Sequence, residues 1–132
     1  MSGYLTFYIQ TKKGDKVSIA SYSRNTDIYK AFNENLSLAY AGNNECYTEL
    51  TSGNVGYVTD DLQRDINAVK DKLAIYDKYA KDDPDYIESI IGLQDYLKDL
   101  QNTLYSISFI ETMVQEVELK TSDVKAVLVN II

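Results

Sequence analysis

The chain contains no histidine. That removes the commonest general base and the commonest transition-metal ligand together. Its single cysteine, Cys46, has no second cysteine to bridge and cannot build a zinc site alone. A nucleophilic role for Cys46 would require a partner base, and no histidine can serve. The expected state is a reduced, partly buried thiol, as in cytosolic proteins. Tryptophan is absent and proline occurs once, at Pro84. With only six glycines, linker-like or collagen-like sequence is excluded. No apolar run approaches the 18 or so residues of a membrane span, and the first residues lack a basic segment followed by an apolar core. A cytoplasmic, non-membrane protein is expected.

Positive charge is also scarce. Thirteen lysines and arginines stand against twenty acids, a net charge of −7. Nucleic-acid binding needs a cationic surface that displaces counterions, so direct contact with DNA or RNA is not expected. Basic partners are permitted. At 132 residues with 45% hydrophobic and 25% charged side chains, the composition is that of one globular domain with its own core.

Two long apolar stripes at helical spacing organise the chain. The first runs Leu62, Ile66, Val69, Leu73, Tyr76, Ala80. The second runs Tyr86, Ile90, Leu93, Leu97, Leu100, Leu104, Ile107. Alternating steps of four and three are the seam of a heptad repeat. Between them lies Lys81-Asp82-Asp83-Pro84-Asp85, in which Asp83 can cap a helix that starts on Pro84. An antiparallel helical hairpin is expected over 58–119. Thr59 is read as the N-cap of its first helix, and the second is expected to reach about Glu118.

The flanks read as β-structure. Tyr4 to Ile9 is aromatic and β-branched, Thr11 to Asp15 has turn chemistry, and Val17 to Tyr22 alternates apolar with small polar residues. A helix is expected from Asp27 to Leu36, with Ile28, Ala31, Phe32 and Leu36 on one face. From Ser37 to Tyr57 no period is sustained, and the segment reads as an irregular loop. The run Ala126 to Ile132 reads as a buried strand. The fold class is therefore α+β: a small antiparallel or mixed sheet, built from the N-terminal hairpin and the C-terminal strand, packed on a short helix and the helical hairpin.

Candidate sites are few. Ser23, Arg24 and Asn25 lie where a strand passes into a helix, and Arg24 is one of two arginines. Hydroxyls, an amide and a guanidinium near a helix N-terminus can hold phosphate or carboxylate. Capping plus a surface ion pair explains the same residues, and no glycine-rich phosphate cradle is present. Twelve tyrosines against three phenylalanines is a skewed balance. Tyrosine is over-used at interfaces, which makes Tyr22, Tyr29, Tyr40, Tyr47 and Tyr57 candidate contact residues. Ile87, Ile91, Phe109, Ile110 and Met113 lie off the hairpin seam and predict self-association. From Asp60 to Asp99, eleven acids face six bases. Such a surface can mimic nucleic-acid phosphates, although interleaved lysines suit an ordinary solvated helix face. Asp82 to Asp85 lacks the spacing of a calcium loop. No cofactor, metal or catalytic residue is expected.

The strings Met1-Ser2-Gly3-Tyr4-Leu5-Thr6-Phe7-Tyr8-Ile9 and Ser21-Tyr22-Ser23-Arg24-Asn25-Thr26-Asp27-Ile28-Tyr29 resemble the start of small proteins from gut phages of Bacteroides-type hosts. Tyr47-Thr48-Glu49-Leu50-Thr51 and the acidic hairpin are similar in pattern. The resemblance implies a phage-borne accessory or virion protein and brings no catalytic residue. The leading expectation is a non-catalytic, self-associating protein that acts through a protein partner. The alternatives are an acidic inhibitor of a basic nucleic-acid-binding groove and a small-anion or nucleotide binder.

Overall fold

The computed structural model describes residues 3–36, 38, 46–80 and 82–132. In chain order the elements are β1 (Tyr4–Thr11), β2 (Lys16–Ser23), α1 (Asp27–Leu36), β3 (Thr48–Glu49), α2 (Ser52–Tyr79), a 3-10 turn (Pro84–Tyr86), α3 (Ile87–Glu118) and β4 (Val124–Ile131). The α+β class holds. Every pairing in the four-stranded sheet is antiparallel, in the order β2-β1-β4-β3.

β1 and β2 form a hairpin whose turn closes through Gly14 N–H to the Thr11 carbonyl at 2.9 Å and Thr11 N–H to the Asp15 carbonyl at 2.9 Å. Gly14 sits at φ +93°, a conformation that only glycine adopts without strain. The strands pair from Tyr4 opposite Ser23 to Gln10 opposite Lys16, with Ile19 bulged out between Ala20 and Ser18. β4 lies inside the sheet, between β1 and β3. It is buried on both faces from Ala126 to Ile131, which is why its sequence runs apolar instead of alternating.

One face of the sheet carries Leu5 and Phe7 of β1 and Val127, Val129 and Ile131 of β4 against the helices. Phe7 sets its ring edge-on to Phe32 of α1 with centroids 5.0 Å apart. α1 is preceded by Thr26, whose hydroxyl accepts from Tyr29 N–H at 3.3 Å and donates to the Ser23 carbonyl at 2.7 Å. The base of the helical hairpin completes the core through Val55, Val58, Leu62 and Ile66 on α2 and Leu100, Ile107, Ile110 and Val114 on α3.

The hairpin seam falls where the heptad spacing places it, but its burial is graded. Leu62, Ile66 and Val69 are buried, whereas Leu73 and Tyr76 are half-buried. On α3, Leu100 and Ile107 are buried, whereas Leu93 and Leu97 are half-buried. Near the sheet a third layer covers the seam. Toward the tip two helices alone cannot enclose it. At the tip, Asp83 Oδ1 accepts from Asp85 N–H at 3.0 Å and Pro84 opens a 3-10 turn before α3.

Three expectations are corrected. α2 starts at Ser52, not near Asp60, and its N-cap is Thr51, not Thr59. Thr51 Oγ1 accepts from Asn54 N–H at 3.1 Å while Asn54 Oδ1 accepts from Thr51 N–H at 2.8 Å. Gly53 and Asn54 read as turn residues, yet with Gly56 they occupy the first helical turns. Helical glycine costs about 1 kcal/mol, which the complete burial of Val55 and Val58 offsets. The segment read as irregular from Ser37 to Tyr57 thus ends in helix, and it also holds the two-residue β3, hydrogen-bonded to β4. Finally, Ile110 is 2% exposed and belongs to the core, not to an outer surface, because the end of α3 lies on the sheet.

Candidate interaction surface

Ser23, Arg24 and Asn25 form the exposed turn between β2 and α1. Beside them is a cleft of about 300 Å³ lined by Tyr22, Asn25, Thr26, Asp27, Asp99 and Asn102, among others. Two carboxylates in that lining oppose an anion. Asp27 also bears on Tyr96 of α3. Burial first, and then the charges of Asp65, Asp27 and Glu34, push the Tyr96 phenol above its usual pKa. The corner where α1 meets the hairpin is therefore acidic, and the Thr26 cap explains the hydroxyls near it.

The candidate tyrosines do not form one cluster. Tyr29 is 9% exposed and is part of the core. Tyr40 lies outside the described residues. Tyr47 packs edge-on against Tyr8, 5.2 Å between centroids, with Lys16 Nζ 5.0 Å from its ring centroid. Tyr57 stands exposed on the first part of α2. Tyr22 reaches a surface groove. One edge of its ring meets Phe7 at 6.0 Å, and the same side chain lines a groove of about 430 Å³ with Tyr105, Ser106, Ser108, Phe109 and Thr112 of α3.

Tyr105 is 81% exposed and Phe109 68%, large rings standing in water one helical turn apart. Ile87 and Ile91 are also exposed, at the hairpin tip, and Ile91 is about 21 Å along α3 from Tyr105 at 1.5 Å per residue. Phe109 was legible in the sequence as off-seam. Tyr105 was missed, although its spacing of four from Phe109 could have found it.

Asp71, Asp77 and Asp99 are exposed with Lys70, Lys72, Lys78 and Lys98 adjacent in sequence, and Asp95 is exposed three residues before Lys98. The charged face is interleaved, not uniformly negative. Glu118, at the end of α3, accepts from Ser52 N–H at 2.8 Å and from the Ser52 hydroxyl. These bonds hold its carboxyl below the usual range and fasten the end of α3 to the start of α2. On the sheet face away from the helices, Asn130 is buried opposite Thr6, and its Oδ1 finds no hydrogen-bond partner among the described residues. Among those residues no group of three metal-ligating side chains gathers, and Cys46 is exposed, not partly buried as expected. No described helix is long and apolar enough to cross a membrane.

Compared with protein-family models, with curated proteins and with solved structures, the chain matches none.

Proposed function

We propose that this chain is a non-catalytic interaction protein that self-associates, a phage-borne accessory or virion component as the resemblance of its first third implies. The observation that carries the reading is the exposure of Tyr105 and Phe109 beside Tyr22. Contiguous apolar surface rimmed by polar groups usually marks a protein-binding site, and aromatic side chains dominate such sites. The isolated aromatics and isoleucines at the hairpin tip extend the contact potential along α3. The anion-binding reading gains no support from a cleft that presents Asp27 and Asp99. The inhibitor reading gains none from a helix face whose acids alternate with lysines.

The test is capture from the producing cells with wild type and with a Tyr105→Glu, Phe109→Glu double variant. Loss of bound proteins from the double variant, with its circular dichroism unchanged, supports an interface on α3. An identical set of captured proteins refutes it.

A further inference from the structure

The open edge of the sheet lies next to the groove. β2 ends the sheet, with no strand on its outer side among the described residues. The ladder shows which backbone groups it offers. Tyr4 and Ile132 exchange both backbone bonds, at 2.7 and 2.9 Å. Successive residues of a strand alternate in the direction of their backbone groups. Tyr4 and Thr6 therefore turn toward β4, and Leu5 and Phe7 toward β2. Leu5 lies opposite Tyr22 and Phe7 opposite Ala20. Ser21, between them, turns its N–H and C=O to the open edge. An exposed strand edge of this kind is a template for another strand.

We propose that β2 pairs antiparallel with β2 of a second copy of this chain, about a two-fold axis at Ser21, with Tyr22, Tyr105 and Phe109 of both copies packed against each other. The inference rests on the interaction reading above and names its surface and its partner.

Charge selects a second copy. A chain carrying −7 repels itself, so two copies can meet only where acids are absent. From Val17 to Ser23 β2 carries no charge. The six residues lining the groove, Tyr22, Tyr105, Ser106, Ser108, Phe109 and Thr112, carry none either, although a quarter of the chain is charged. The isologous geometry makes each contact of the pairing twice.

The bulge at Ile19 limits pairing to the segment that follows it. The predicted contact is therefore short in backbone bonds and depends on the aromatic groove for the remainder.

Solution mass by light scattering tests this, with amide hydrogen exchange as the site-specific readout. Wild type is expected at twice its 15.0 kDa, with the Ser21 amide slowed at high protein concentration and released on dilution. Phe109→Glu, at an exposed position, and Ser21→Pro, which removes the outward N–H together with the hydroxyl bonded to Thr6 Oγ1 at 2.9 Å, should each return a 15 kDa particle with unchanged circular dichroism, and Ser21→Ala, which removes the hydroxyl alone, should leave the dimer intact. A 15 kDa wild type up to about 1 mM, the weak end of specific association, overturns pairing with a second copy; the interaction reading then survives only if the capture experiment finds a different protein. A dimer that persists in both variants, with Ser21 exchanging fast, overturns this surface while retaining self-association.

Discussion

Ile107→Ala and Leu97→Ala separate a hairpin anchored in the core from a free-standing coiled coil. Both residues lie on the α3 seam, and heptad position alone makes them equal. Ile107 is fully buried, in the layer where α3 meets the sheet and α2. Truncation to alanine removes three carbons. At about 0.8 kcal/mol per buried carbon the transfer loss is about 2.4 kcal/mol. A cavity term of about 24 cal/mol per Å³ follows, because a fully enclosed core site relaxes little. The expected loss is about 3–4 kcal/mol, against a total stability of about 5–15 kcal/mol. Leu97 is half-buried, at the margin of the core. Its truncation exposes less new surface and leaves no closed cavity, so about 1–1.5 kcal/mol is expected. Urea unfolding followed by far-ultraviolet circular dichroism reads both. With a slope of about 1.5 kcal/mol/M, the Ile107→Ala midpoint should fall by about 2 M and the Leu97→Ala midpoint by under about 1 M, with slopes unchanged. Equal shifts would refute the graded seam and imply that the hairpin tip is enclosed as tightly as its base.

Thr51→Ala should destabilise by about 1 kcal/mol, the worth of an N-cap. Thr59→Ala, mid-helix, should change stability by under about 0.5 kcal/mol; the reverse order would restore the later helix start. Glu118 has a folded pKa held below its ordinary value of 4.5, so the stabilisation from its bonds to Ser52 is present above that value and lost as pH falls through the folded pKa. Wild type should lose melting temperature more steeply than Glu118→Gln between about pH 5 and pH 3, and parallel curves would mean that the clamp contributes nothing. Tyr96 should ionise above the usual phenol pKa when phenolate absorbance is followed upward in pH. Asp65→Asn should bring its transition down, since the Asp65 charge has the largest effect on it after burial itself; an unmoved transition would dissociate Tyr96 from that acidic corner.

The sequence by itself determined what depends on local period and on strong punctuation. The apolar stripes of Leu62–Ala80 and Tyr86–Ile107, broken at Asp83-Pro84, specified two helices that fold back on each other, because a stripe with a four-three period has only a helical partner to bury against. The N-terminal strands, α1 and the unbroken apolar run of β4 were legible for the same reason, and they carried the α+β class. Phe109 was legible as off-seam. Long-range packing decided the rest. α2 begins at Ser52 through two glycines because Val55 and Val58 gain a core that lies elsewhere in the chain, a gain no local propensity records. β3 is two residues long and exists only through its pairing with β4. Tyr22 and Tyr29 are alike in sequence, but one lies on the edge strand β2 beside Tyr105 and Phe109 of α3, and the other lies on the inner face of α1 within the core. The candidate surface is of the same kind. β2 and the far end of α3 are more than eighty residues apart in sequence, and only the tertiary fold brings Tyr22 to Tyr105 and Phe109.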